Sequence, residues 1–411
     1  MTSFGTRRAS RPLRVGQPLV QVLLACLAGL LGSYNVAVFR VALSMHGNDF
    51  GKFYEATQNW GRGQSLYSPT IATHMLVGAE WRELLNMNPP HFHLLVLPFV
   101  ALPLTPAAVA WALVNIAAGA AAVSIATAEL GMRVHLRHVL PATCAALLCA
   151  ATPAIAGTGQ FTGLLLIPMV LAWRAARRDR WLRSGAWIGV LVSVKPFFAL
   201  FLPVLLLRRE WRALAGAAAA GGALFATGLV VFGWGEHLAW LHAMFGVDWA
   251  WSAMNGSLLA PIARMLDRSA LFTPALVRPS LIAAPWLAAS AVVLLGTLLR
   301  SRRSVDHLFG LTTLGALLIS PLGWVYYAWL AFPPCLAIWR HSRPGIVVAG
   351  LAALCVPLIA LGAGQPSPAA TLTIGSSYTW GLLALWIGML LTPAPLAVRP
   401  MVRTPARLPT G

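Results

Sequence analysis

The chain has 411 residues, of which 58% are apolar and only 10% charged, where a soluble domain carries about 25% charged residues. A formal charge of +19 invites a nucleic-acid reading, but the basic residues fall in short clusters between uncharged runs, which is the pattern of cytoplasmic loops in a membrane protein. No nucleic-acid partner is expected, and lipid is the expected surroundings. The uncharged runs do not alternate with period two, and backbone in lipid must satisfy itself internally, so the runs are read as helices.

In chain order, Arg7, Arg8, Arg11 and Arg14 precede an apolar run over 18–39, read as a retained first span rather than a signal peptide. The loop 41–90 is then outside, and it holds Asp49, Glu55, Glu80 and Glu83, four of the eleven acidic residues. Apolar sequence over 92–127 is broken by Pro98, Pro103 and Pro106, and fits either one crossing with an interfacial helix or two crossings. His91 and His93, just before it, are read as interfacial. Further runs cover 138–156 and 161–173.

The stretch 184–207 lies between the Arg174–Arg183 cluster and the cluster Arg208, Arg209, Arg212, so both ends belong on one side. It must enter and return, with the turn at Lys195-Pro196, where proline removes a donor and stops a helix. A run over 214–232 goes out again. The loop 233–279 is the second large outside loop, with Trp234, Trp240, Trp249 and Trp251 as interface anchors. Runs over 281–299, 308–319, 324–339, 346–361 and 378–391 follow. The expected fold class is all-α: one polytopic domain over 18–396 with roughly ten to twelve spans. The basic tails 1–17 and 397–411 are placed in the cytoplasm, and the protein in a bacterial-type inner membrane.

With this topology Asp49, Lys52, Gln160, Lys195, Asn255, Arg264, Ser320 and Tyr326 all reach the outer side. Among thirty basic residues only Lys52 and Lys195 are lysines. A position that stays lysine where arginine is the rule points to a need for a compact ammonium. Lys195 also sits in an otherwise uncharged run at membrane depth, where ionisable groups are costly and functional; the competing reading is a side chain snorkelling to the interface. Asp49 is read either as a reactive carboxylate or as the N-cap of a helix starting near Phe50. The five cysteines show no CxxC spacing and the ten histidines no HExxH, so no metal site is read.

Seven segments in this order resemble glycosyltransferase family 87, whose members have the GT-C fold and take sugars, above all mannose, from polyprenyl phosphates. They are Asp49-Phe50 with Tyr54; Gly63 with Leu66-Tyr67; Asn88-Pro89-Pro90 with Pro98; Gly159-Gln160-Phe161-Thr162; Gly185 to Lys195 with Arg208-Arg209 and Trp211-Arg212; Asn255-Gly256-Ser257-Leu258 with Arg264; and Ser320-Pro321-Leu322-Gly323-Trp324. The chain departs from the family pattern at Asn88, at Thr162 and at Tyr326-Tyr327, which stand where the family often has an aromatic residue, an asparagine and a histidine pair. The resemblance implies an inverting mannosyl transfer from a polyprenyl-phosphate donor to a lipid or glycan acceptor. Asp49 is then the base, Lys195 and Arg264 hold the donor phosphate, and Gln160, Asn255, Tyr326 and Tyr327 contact substrate. No nucleotide cofactor is expected. A transporter or lipid-linked-sugar flippase, with Lys195-Pro196 as a broken helix, is the rival reading; a membrane scaffold is a second.

Overall fold

The structure is a computed structural model. It describes residues 17–393 except 45–48, 70–73, 78–79, 84–85, 133–135, 247–248, 270, 340–343 and 363. Apart from Gln17, the tails expected in the cytoplasm lie outside the described residues.

Helices dominate. A 28-residue helix, α1 (Gln17–Ser44), is followed by a short one, α2 (Asp49–Gly61). The first loop adds a two-stranded antiparallel ribbon, His74–Val77 with Glu80–Glu83, which the sequence reading did not anticipate. Short helical turns over Pro90–Ala101 lead into the 26-residue α3 (Leu104–Glu129). The ambiguous 92–127 stretch is therefore one long helix behind short turns, because Pro103 ends the turns in extended geometry. Next come α4 (Leu136–Leu148) and α5 (Ala151–Thr158), whose apolar parts are bent by 61°. They are followed by α6 (Thr162–Arg177), α7 (Trp181–Val194), a 3₁₀ turn, and α8 (Phe201–Leu207). The long α9 (Trp211–Phe245) breaks at Gly233 (φ 83°), the start of the expected outside loop. The rest is α10 (Leu259–Leu266), α11 (Ala283–Arg300), α12 (Val305–Ile319), α13 (Phe332–Trp339), α14 (Pro344–Leu354) and α15 (Ser377–Leu391).

Among the described residues, five helices are long and apolar enough to cross a membrane, or six if the bent pair counts as one span. Six shorter apolar helices of 10–17 residues accompany them. Ten to twelve membrane segments therefore result only when the short helices are counted. Breaks such as Lys195-Pro196 are what shorten them.

The enter-and-return expectation for 184–207 has a direct geometric counterpart. Gly185 lies against Ala213, and Gly189 against Ala217 and Gly221. Residue numbers rise together on both helices, so α7 and α9 run parallel. The intervening 195–210 must therefore bring the chain back to the end where α7 began.

That end is basic. Arg174, Arg177 and Arg178 surround Glu129 at the close of α3, and Arg177 Nη1 lies 2.7 Å from Asp306 at the start of α12. Arg208 donates to the Ser301 carbonyl, Arg302 to that of Leu207 and Arg303 to that of Thr392. The clusters around Arg174–Arg178, Arg208 and Arg302–Arg303 thus form one belt, and α6, which ends there, begins beside Gln160 at the other end.

The α7–α9 seam depends on missing side chains. A Cβ at Gly185 would stand 1.8 Å from the Ala213 oxygen, and one at Gly216 2.2 Å from the Leu182 oxygen. Backbones approach this closely only at small residues, the usual basis of helix association in lipid. Gly185→Val is expected to destabilise the fold by about 1–3 kcal/mol or more, read as a lower melting temperature in detergent. An unchanged melting temperature would mean that the two helices do not meet at this distance.

Candidate active site

At the pole opposite the arginine belt, Asp49 opens α2. Its carboxylate is held on both oxygens: Lys52 Nζ lies 2.5 Å from Oδ1, and Gln160 Nε2 donates to Oδ2 at 2.6 Å. The helix itself is anchored by its apolar face. Phe50 packs on Trp111 (5.3 Å between ring centres), Phe53 edge-on to Phe92 (5.0 Å), and Phe92 on Phe161 (4.5 Å). Gln160 reaches Asp49 because of Gly159, which ends α5 with φ 70°. A Cβ there would sit 2.7 Å from that of Phe50, so only glycine allows α2 this close. The Trp111 indole donates to the Gly159 carbonyl at 2.8 Å and locks the turn.

Lys195 occupies the gap between α7 and the 3₁₀ turn, in extended geometry (φ −134°, ψ 95°). It is partly buried. Its ammonium donates to Asn88 Oδ1 at 2.7 Å and stands over the rings of Phe161 (4.8 Å) and Tyr327 (5.5 Å). The opposite charge that acts on it is the carboxylate of Asp49, and Lys52 repels it. Asn88 is itself fixed. Its N–H donates to Asn86 Oδ1, the Asn86 amide meets His93 Nε2 at 2.7 Å, and His93 Nδ1 meets the Thr57 hydroxyl at 2.7 Å. Thr57 gives its single proton to the Phe53 carbonyl. His93 therefore carries its hydrogen on Nδ1, and Nε2 accepts from Asn86. His93 has no solvent exposure, and His91 meets the Ser193 carbonyl at 3.0 Å. Both histidines are buried supports of the site, which corrects their reading as interfacial residues.

The Tyr67 hydroxyl donates to the Asn88 carbonyl at 2.6 Å. Burial, and then the Glu236 carboxylate, push this phenol far above its ordinary range, so it remains a donor. Glu236 also accepts from Ser65 Oγ and the Leu66 N–H, and the Trp240 indole donates to the Met87 carbonyl. The part of α9 beyond Gly233 is thereby tied to the first loop, and Trp240 serves that tie rather than standing as a free anchor.

Tyr326 and Tyr327 are buried and lie within Coulombic reach of Asp49. They belong to an aromatic arc. Trp249 neighbours Trp324 (6.3 Å), Trp324 stacks on Tyr326 (5.9 Å), Tyr326 meets Tyr327 (4.6 Å), and Tyr327 meets Phe197 (5.1 Å). Lys52 stands over Trp249 (5.9 Å) at one end and Lys195 over Tyr327 at the other. The structure thus gathers Asp49, Lys52, Asn88, Gln160, Lys195, Tyr326 and Tyr327.

Asn255 and Arg264 are turned elsewhere. Asn255 Oδ1 accepts from the N–H groups of Ser257 and Gly323, and its amide donates to the Ala250 and Pro321 carbonyls. Arg264 is 1% exposed and donates to the carbonyls of Trp251, Ser252, Asn255 and Gly375. Every polar atom of Asn255 and each guanidinium nitrogen of Arg264 is engaged by main chain. The expectation that Arg264 holds phosphate and Asn255 a sugar hydroxyl gives way to a structural role: irregular backbone inside the protein needs donors and acceptors, and these two side chains supply them.

Trp249 and Trp324 were not singled out as site residues, Lys52 was marked as a retained lysine without a role, and Asn88 was noted only as a departure from the family pattern. The lysine bias was the one signal that pointed to Lys52. Among the described residues, no three of His, Cys, Asp and Glu converge as a metal ion would require. Two open pockets, of about 480 Å³ at Phe272, Thr273 and Gln365 and about 440 Å³ at Ser65, Tyr67 and His242, are not lined by Asp49, Lys52 or Lys195. Converging charge, not cavity shape, marks the site.

Two alpha-(1->3)-arabinofuranosyltransferases of Mycobacterium tuberculosis, from strains CDC 1551 / Oshkosh and ATCC 25618 / H37Rv, are each 28% identical to the chain over 215 residues, 50% of this chain and 47% of theirs. The chain thus spans about half the length of the curated relatives it matches. No solved structure matches it at a significant level. The model of glycosyltransferase family 87 matches residues 86–333, a stretch that holds Asn88, Gln160, Lys195 and the tyrosine pair, and the chain belongs to that family.

Proposed function

We propose that the chain is a membrane glycosyltransferase that moves one sugar from a polyprenyl-phosphate donor to a hydroxyl of a lipid or glycan acceptor. The observation that carries this reading is Lys195. It is a partly buried ammonium whose hydrogen-bond partner is a neutral amide, near a carboxylate and an arc of aromatic rings. Enclosed charges seek a counter-charge, and a donor phosphate supplies one.

The chemistry follows from the groups present. The acceptor hydroxyl attacks the anomeric carbon as its proton passes to Asp49. The bond from that carbon to the phosphate oxygen breaks, and its electron pair leaves with the prenyl phosphate. The leaving group is already a weak base, so no general acid is needed, and one carboxylate suffices for a single displacement with inversion. Lys195 stabilises the charge growing on the phosphate. Gln160 Oε1 is buried and unpartnered among the described residues, so it can accept from a sugar hydroxyl while its amide holds Asp49. The tyrosine pair offers ring faces to the sugar. Mannose is the sugar implied by the family resemblance, and arabinofuranose is the one in the relatives' names; parallel assays with both prenyl-phosphate-linked donors decide between them.

The arginine belt lies at one pole and the site at the other, and positive charge favours the cytoplasmic side. The site therefore faces outward from a cell membrane in this reading, with both termini inside. In intact cells an impermeant thiol reagent should label Ser68→Cys and spare Arg178→Cys. The reverse pattern would overturn the topology.

Asp49→Asn should lower transfer by at least about a hundredfold, the lower range for loss of a general base, with insertion and melting temperature kept. Turnover at the wild-type rate would remove Asp49 from the base role. A charge-assisted hydrogen bond contributes about 1.5–3 kcal/mol, so Lys195→Ala should cost about tenfold to a hundredfold in transfer, while Lys195→Arg retains part of the activity. If both variants transfer at the wild-type rate, Lys195 only snorkels.

A further inference from the structure

Lys52 is the other lysine of the chain, and it reaches the same site from a different element. It is 5% exposed, pairs with Asp49 Oδ1 at 2.5 Å and stands 5.9 Å from the centre of the Trp249 ring. Lys195 has no carboxylate within ion-pair distance among the described residues, and it feels both Asp49 and Lys52. One carboxylate at the start of α2 thus has one ammonium paired to it and a second nearby, at a helix end that itself favours anions. The aromatic arc runs from one ammonium to the other.

We propose that Lys52 is a second ligand of the donor phosphate, and that it leaves Asp49 for the phosphate when the donor binds. The proposal rests on the glycosyl-transfer reading above. In the empty site Lys52 occupies the carboxylate that must receive the acceptor's proton. A phosphodiester brings one negative charge, which balances the second ammonium. As the bond to the anomeric carbon breaks, the phosphate gains a further negative charge, now faced by two cations, while Asp49 Oδ1 is free to take the proton. The exchange also accounts for lysine here: a compact ammonium on a flexible stem can swing between two oxygens, whereas a guanidinium would grip the carboxylate with two parallel bonds.

The competing reading makes Lys52 a fixed staple of the first turn of α2, and the two readings predict opposite signs. The test is binding of farnesyl monophosphate to the full chain in nanodiscs, with farnesol as the uncharged control. Lys52→Met should weaken phosphate binding by about tenfold to a hundredfold, the value of a charge-assisted bond. Asp49→Asn releases Lys52 and should tighten binding by roughly tenfold. The tightening should vanish in the double variant, which isolates the coupling of the two side chains. Farnesol should bind all four proteins alike. The proposal is overturned if Lys52→Met binds as wild type does, if the tightening persists in the double variant, or if farnesol follows the same pattern. If Lys52→Met does not fold, Asp49→Asn alone decides, and failure to tighten sinks the exchange. A protein that shows this binding pattern yet transfers no sugar from any prenyl-phosphate donor contradicts the glycosyl-transfer reading and leaves the lysine pair standing.

Discussion

A lysine at a break in an apolar helical hairpin needs partners that the break itself cannot supply. Pro196 has no N–H, and the ends of α7 and the following turn leave Lys195 in extended backbone at the pole away from the arginine belt. Asn88, Phe161 and Tyr327 come from three distant parts of the chain to meet it. Much of that pole follows from this demand. Asn88 needs Asn86, His93 and Thr57 behind it, and Thr57 lies on the helix that begins with Asp49. The cation site and the carboxylate are thus built on one polar network, and neither can shift without the other.

The same demand separates what the sequence tells from what it conceals. The break at Lys195-Pro196 was legible because a proline, a lone charge and two flanking arginine clusters all speak to it, and the parallel seam of α7 and α9 is its structural image. The approach of Gln160 to Asp49 was legible only as two motifs in order. What joins them, Gly159 under Phe50, depends on a close approach that no local pattern announces. Asn255 and Arg264 were misread because a sequence gives a residue's donors but not who consumes them, and here the loop carbonyls do. Asn88 was passed over because an amide on its own carries little signal, and it becomes a ligand only once a buried ammonium has been folded against it. Ten to twelve apolar segments are reached only with the short helices, because proline and glycine breaks cut several apolar runs below crossing length.

Two other functions were compatible with a membrane chain of this composition. A transporter would use the broken helix at Lys195 as an ion or substrate site, and the break is indeed present. Membership of glycosyltransferase family 87 argues for the enzyme instead. So does the concentration of carboxylate, ammonium and aromatic groups at one pole while the arginine belt occupies the other. The belt itself looks structural: Glu129 and Asp306 are largely buried acids whose arginines close the ends of α3, α6 and α12. A scaffold would not need two enclosed lysines facing one carboxylate.

At the centre of this account is a single displacement assisted by one carboxylate, and its stereochemistry tests it most directly. Purified protein would be given a prenyl-phosphate-linked sugar of known anomeric configuration and a membrane-lipid acceptor, and the new glycosidic bond read by NMR. The account predicts the anomer opposite to that of the donor. Retention of configuration would require a covalent sugar–enzyme intermediate, a second displacement and a different use of Asp49, and would contradict it.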